Sequence, residues 1–268
     1  GVVTLGRLSG EGVDRKEEGY FTLTDNEKEL LGAVCSAYHA LGKKVVVVLN
    51  IGGVIETASW KELPDAILLS WQTGQQGGAA VAELLRGTVN PSGKLPVSYP
   101  VSYADVPSSK SFPGIPADLP VNSYYNEGVY VGYRYYTTYD VPVSYPFGYG
   151  LSYSTFEYGS LEARQSGDNV LEVSCRIRNT SDREGDEVVQ LYISDMVAST
   201  VRPPRQLGGF RRIRLAPGEQ RQVSFTLGDE ALALIDPQGR RVVEKGDFVI
   251  AVGSSSQDIR LQTTVTLE

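Results

Sequence analysis

The hydrophobic pattern of this chain changes period near residue 160, and that change divides the folds open to it. Before it, short apolar runs alternate with helix-period segments; after it, every second residue tends to be apolar. In the first part Val2-Val3-Thr4-Leu5 reads as a strand. Val45 to Leu49 and Ala66-Ile67-Leu68-Leu69-Ser70-Trp71 read as buried parallel strands. Thr24-Asp25-Asn26-Glu27 is a capping box, since the Thr24 hydroxyl can accept from an early N–H while Glu27 reaches back. Leu30, Leu31, Val34, Tyr38 and Leu41 follow at helical spacing, and Gly42 closes the helix. A second helix is predicted from about Ala79 to Arg86, stopping at Gly87. Strands alternating with helices imply a parallel sheet with helices on its faces. A doubly wound sheet has more strands than these three, so the layer is expected to be the C-terminal part of a larger one.

From about Ser160 the pattern is all-β. Val170 to Ile177, Val188 to Ile193, Arg221 to Leu227 and Phe248 to Val252 alternate, separated by the turn signals Asn179-Thr180-Ser181-Asp182, Ala216-Pro217-Gly218-Glu219 and Asp236-Pro237-Gln238-Gly239. Short strands at this spacing fit an immunoglobulin-like sandwich. Between the two parts, residues 88–123 are rich in proline, glycine and serine and are expected to wrap a surface. Residues 124–158 hold eleven of the 16 tyrosines. A tyrosine stripe can stack sugars; a linker with its rings buried in a groove and its hydroxyls wet is the reading preferred here. The expected order is therefore an α/β layer at 1–123, a tyrosine-rich linker at 124–158 and a β-sandwich at 159–268.

Composition closes off several functions. A formal charge of −7 argues against nucleic-acid binding, which wants a basic face. No apolar run approaches membrane-spanning length, and no secretory leader is visible. Cys35 and Cys175 fall in different predicted domains and are expected to be buried, unpaired thiols, not a disulfide framework or a metal cluster. His39 is the single histidine and sits on an apolar helix, so a Ser–His–Asp device is improbable. Neither a cofactor nor a metal is expected.

The chemistry points to the strand ends. Val2 to Leu5 is followed by Ser9-Gly10-Glu11-Gly12-Val13-Asp14-Arg15, the second strand by Asn50-Ile51-Gly52-Gly53, and the third by Gln72-Thr73-Gly74-Gln75-Gln76-Gly77-Gly78. Ligands of open parallel sheets meet the carboxyl ends of the strands, so Glu11, Asn50 and Gln72 can share one edge. Gly10 and Gly12 have no side chains to shield Glu11. From the residues alone, Glu11 is either a presented catalytic acid or an exposed loop carboxylate with no task.

Four spaced motifs add to this. Ser9 to Arg15, Gly87-Thr88-Val89-Asn90-Pro91-Ser92-Gly93-Lys94-Leu95-Pro96, Tyr145-Pro146-Phe147-Gly148-Tyr149-Gly150-Leu151-Ser152-Tyr153, and Arg202-Pro203-Pro204-Arg205-Gln206-Leu207-Gly208-Gly209-Phe210 with Leu215 to Glu219 occur in that order. Together they resemble the C-terminal portion of family 3 glycoside hydrolases, the β-glucosidase-like enzymes. The resemblance implies a partial α/β sandwich domain followed by a fibronectin type III-like domain. It implies that Glu11 is the general acid/base of a retaining β-glycosidase whose nucleophilic aspartate lies on a TIM barrel. Such a barrel needs about 250 residues and is not in this chain, so the chain alone is expected to be inactive. Retaining enzymes hold two carboxyl groups about 5–5.5 Å apart across the scissile bond. The substrate implied for the complete enzyme is a β-linked glucoside or oligosaccharide, and a periplasmic or secreted location is preferred to a cytoplasmic one. Asp14 and Arg15 either orient the loop through an ion pair, line the leaving-group side, or form a solvated turn pair. Where family members often carry an acidic residue, this chain has Gln75-Gln76-Gly77-Gly78, which leaves the charge of that loop open. The rival readings are a non-catalytic module that binds carbohydrate or a partner protein, a natural two-chain enzyme, and a purely structural buttress.

Overall fold

Three parallel strands, β1 (Val2–Gly6), β2 (Val46–Asn50) and β3 (Ala66–Leu69), lie in the order β1-β2-β3. The computed structural model describes residues 1–8 and 10–268. Helix α1 (Asp25–Ala40) covers one face of this sheet. Its N-terminus is held by the capping box, with Glu27 N donating to Thr24 Oγ1 (3.3 Å) and Thr24 N to Glu27 Oε2 (2.8 Å). Gly42, at φ 64°, ends it in the left-handed conformation that suits glycine. The core joins Leu31 and Cys35 of α1 to Val3, Leu5, Val47 and Leu49 of the strands and to Ile51, Ile55 and Trp60 beyond β2. The expected apolar stripe of α1 divides: Leu31 and Cys35 are buried, while Leu30, Tyr38 and Leu41 face outward. β3 is half-buried where a buried strand was predicted, because only β2 pairs with it. Helix α2 (Gly77–Leu85) follows β3. A two-stranded pair, β4 (Tyr99–Pro100) with β5 (Val143–Tyr145), completes this unit, which comprises Gly1–Val89, Tyr99–Glu127 and Pro142–Tyr145.

The turn into β2 is tied down by Asp65. Its carboxylate accepts from Lys44 Nζ (2.7 Å) and Val45 N (2.8 Å) and lies 2.9 Å from His39 Nε2, so the single histidine is engaged in a surface ion cluster. The Lys44 ammonium first, then the Val45 N–H and His39, hold the Asp65 carboxyl well below the usual carboxylate range. A carboxylate depressed in the folded state contributes stability above its unfolded pKa of about 3.9 and loses it as pH falls from there toward the folded value. Asp65→Asn is therefore expected to flatten the decline of the urea midpoint between about pH 4 and pH 2. Parallel wild-type and variant profiles in that window would contradict this.

The second unit comprises Asn90–Ser98, Gly128–Val141 and Pro146–Glu268. In chain order it starts well before residue 159, and the tyrosine-rich stretch is divided between the two units. Its short helices are α3 (Tyr133–Thr138) and α4 (Asp229–Leu232). Its long strands are β6 (Phe156–Gly167), β7 (Val170–Asn179), β8 (Gly185–Asp195), β9 (Gln206–Leu215) and β10 (Gln220–Leu227), and, after the small pair β11 (Leu234–Ile235) and β12 (Arg241–Val242), β13 (Gly246–Gly253) and β14 (Ile259–Leu267). All pairings are antiparallel, in sheets of order β10-β7-β6 and β14-β13-β8-β9. The inner faces meet in one core, with Cys175 and Ile177 of β7, Phe225 of β10, Leu191 and Ile193 of β8, and Phe248 and Ile250 of β13. This is the α/β layer followed by an all-β immunoglobulin/fibronectin III-like sandwich that the sequence implies. Cys35 and Cys175 are both free and buried.

Candidate active site

Parallel pairing puts the carboxyl ends of β1, β2 and β3 on one edge, so the loops bearing Glu11, Asn50 and Gln72 all leave from it. Immediately after β1, the Arg7 side chain turns back to α1. Its guanidinium makes a two-point contact with Glu27 (2.6 and 2.8 Å) and donates from Nε to Tyr20 O (3.0 Å). Burial pushes the Glu27 carboxyl up, but hydrogen bonds from Arg7 and Thr24 outweigh it and hold the pKa below normal. This half-buried pair anchors the start of the Glu11 loop.

Ser9 lies outside the described residues. Beyond it, Val13 N approaches Gly10 O at 3.4 Å and closes a turn over Gly10 to Val13. Gly12 occupies the third position of that turn at φ 84°, where a type II turn demands a positive value. Glu11 therefore stands at the outer corner. It is exposed, and its carboxylate makes no hydrogen bond or ion pair among the described residues. Asp14 is likewise exposed, and no ion pair joins it to Arg15 among the described residues. Arg15 is exposed too, yet it lies over neighbouring backbone: a methyl group built on Gly10 would come within 2.7 Å of its Cγ, and one built on Gly53 within 2.6 Å of its Cζ and Nη2. Gln72 does the same on the neighbouring residue, its Nε2 falling 3.0 Å from a methyl group built on Gly52. The glycine pair after β2 had shown itself in the sequence only as a polar loop; its use as a surface for two side chains was not legible there. Trp71, just before Gln72, sits at φ 54°, a conformation that costs a bulky residue about 1–3 kcal/mol.

Gln75-Gln76-Gly77-Gly78 forms the start of α2, with Gln76 at the N-cap making no side-chain cap bond and Gly77 buried. The rings from Tyr130 to Tyr139 do not lie flat against one another. Tyr125 is 90% exposed, but the ring pairs Tyr130–Tyr139, Tyr135–Tyr136 and Tyr135–Tyr139 meet at 66°, 74° and 47°, and Tyr136 is buried. Among the described residues no group of three or more His, Cys, Asp or Glu side chains is placed to hold a metal ion, and no helix is long and apolar enough to cross a membrane.

The glycosyl hydrolase family 3 C-terminal domain matches residues 1–153, more than half of the chain and all of the edge just described. The chain belongs to glycosyl hydrolase family 3. A fibronectin type III-like domain matches residues 187–256, within the sandwich. Among solved family 3 structures, beta-glucosidase 3B from Thermotoga neapolitana in complex with alpha-D-glucose is 45% identical with a TM-score of 0.94, over 99% of this chain and 37% of that one. A beta-glucosidase of Bacteroides ovatus is 40% identical over 96% of this chain and 34% of its own length. An exo-alpha-(1->6)-L-arabinopyranosidase of Bifidobacterium breve is 42% identical over 85% of this chain and 30% of its own. The chain thus spans about a third of the length of the curated relatives it matches.

Proposed function

We propose that this chain supplies the general acid/base, Glu11, of a retaining β-glycosidase of the β-glucosidase type, with the nucleophile on a barrel domain outside these residues. The observation that carries the reading is the placement of Glu11: the corner of a glycine-flanked turn at the carboxyl edge of a parallel sheet, with no hydrogen-bond or ion-pair partner among the described residues. In the first step the barrel carboxylate attacks the anomeric carbon while Glu11 protonates the departing oxygen. In the second, Glu11 takes a proton from the water that releases the sugar. The substrate is a β-linked glucoside or oligosaccharide, and membrane or nucleic acid has no part in the reaction.

The purified 268-residue chain is expected to release no aryl aglycone from an aryl β-glucoside above the buffer rate, because its acid faces no nucleophile. Robust turnover by the pure chain would overturn the two-domain assignment. The positive test is a fusion in which this chain replaces the 37% of the Thermotoga neapolitana chain that it covers. That fusion is expected to hydrolyse the aryl β-glucoside, and to lose activity on a natural disaccharide when Glu11 is changed to Gln.

A further inference from the structure

Arg15 is the cation of this edge that the acid/base reading leaves unused. Among the described residues it has no ion pair and no hydrogen bond. Exposed overall, it lies over backbone at two points, its stem by Gly10 and its guanidinium by Gly53. Gly10 needs glycine for its backbone as well, at φ 82°. Gly53 does not, since its φ lies outside the left-handed region. A Cβ at 53 would fall in the space of the guanidinium, so a methyl group there would displace the Arg15 head from the shelf.

We propose that Arg15 is a positioning residue for Glu11, clamping the acid loop onto the glycine shelf that follows β2. The inference rests on the reading of Glu11 as acid/base. The tip of the loop is soft by construction: Gly10 and Gly12 both sit at positive φ, and the turn contact from Val13 N to Gly10 O is long, at 3.4 Å. Glycine leaves such a segment wide backbone freedom. A proton donor, however, must be held within about half an ångström of its working geometry. Arg7 fixes the chain before the tip through Glu27, and Arg15 fixes it after, so Glu11 hangs between two arginine anchors. Arginine suits the second anchor because its weakly hydrated, planar head can rest on peptide groups without a counter-ion, and its stem covers the backbone beneath.

The test has two arms. In the full 268-residue chain, a lysine-specific endoprotease reads the mobility of the loop at Lys16, with Lys245 as internal reference. Arg15→Ala and Gly53→Ala are each expected to speed cleavage at Lys16 at least threefold. The double variant is expected to be cut no faster than either single one, because both remove the same contact. Unchanged cleavage, or effects that multiply, would overturn the clamp. In the fusion, Arg15→Ala is expected to lower kcat/KM on an alkyl glucoside at least tenfold and to spare kcat/KM on a dinitrophenyl glucoside. Azide, which needs no base, should accelerate dinitrophenyl glucoside turnover strongly in Glu11→Ala and to a smaller extent in Arg15→Ala, where the base is present but loosely held. A loosened loop with unaltered rates makes Arg15 merely structural and sinks the inference. If Glu11→Gln leaves both substrates untouched, the acid/base reading falls and takes the inference with it; if Glu11→Gln behaves as expected and Arg15→Ala does not, the inference alone falls.

Discussion

Glu11→Gln in the fusion is expected to lower kcat/KM for an alkyl β-glucoside by about 10²–10⁴-fold, the usual worth of general acid catalysis, and to lower it far less for a dinitrophenyl glucoside. The two substrates differ in how much they need the proton. An alkoxide is a strong base and cannot leave until the bridging oxygen is protonated. Dinitrophenolate is stable as an anion and departs without help. Because kcat/KM reports events up to the first irreversible step, it isolates glycosyl transfer to the barrel nucleophile. The second step behaves differently. Water must lose a proton as it attacks, and glutamine cannot take it, so the glycosyl-enzyme breaks down slowly whichever substrate formed it and accumulates where its formation stays fast. The dinitrophenyl glucoside should therefore show a burst followed by slow turnover, and azide, which needs no deprotonation, should restore the rate. Equal losses in kcat/KM on the two substrates would remove the acid role from Glu11. They would leave it a solvated carboxylate at a turn, the reading that the residues alone had left open.

Much of the first unit was legible because its signals are local. Thr24 and Glu27 announce their helix by a hydrogen-bond pair that closes within four residues, and Gly42 ends it through its own φ. The grouping of Glu11, Asn50 and Gln72 on one edge followed from parallel topology without any side-chain geometry. What the sequence did not show is non-local. Nothing in Asn50-Ile51-Gly52-Gly53 says that Arg15, 38 residues earlier, rests on the second glycine and Gln72 on the first. The strands at Phe156–Gly167 and Gln206–Leu215 escaped a search for alternation for a related reason. The first shifts register between Gly159 and Glu162, with Ser160 at φ 51°. The second is an edge strand with glycines at 208 and 209 and arginines at 211, 212 and 214, whose pattern is set by its neighbour β8. The outward stripe Leu30, Tyr38 and Leu41 makes the same point from the other side: helical period predicts a helix, but only packing decides which apolar residues it buries.

Lys94 is the clearest case of a residue whose task only the structure reveals, and it carries the second large expected effect. The sequence placed it in a turn of the first domain, yet residues 90–98 belong to the second unit. There Lys94 Nζ donates to Gly150 O (2.8 Å) and Ser254 Oγ (3.0 Å) and lies 3.7 Å from Glu187 Oε1. Glu187, 3% exposed, accepts from the Tyr158 hydroxyl at 2.7 Å. Burial pulls the Lys94 pKa down against the opposing pull of Glu187. Burial first, then the charge of Glu187, pushes the Tyr158 phenol far up. Removing one partner of a buried pair costs about 3–5 kcal/mol, and the Arg260 guanidinium, whose charge also acts on Glu187, offsets part of that here. Lys94→Met is therefore expected to destabilise the second unit by up to about that much, read from the urea transition in far-UV circular dichroism. Trp60 and Trp71, both in the first unit, report that unit's transition separately by fluorescence. The double variant Lys94→Met with Glu187→Gln is expected to recover most of the loss. The amide oxygen still accepts from Tyr158, and no charge is left alone, so the residual cost is that of the hydrogen bonds to Gly150 and Ser254. Costs that simply add would mean that Lys94 holds the 90–98 segment by those two hydrogen bonds and by packing, and that the buried carboxylate is stabilised by Tyr158 without the ammonium.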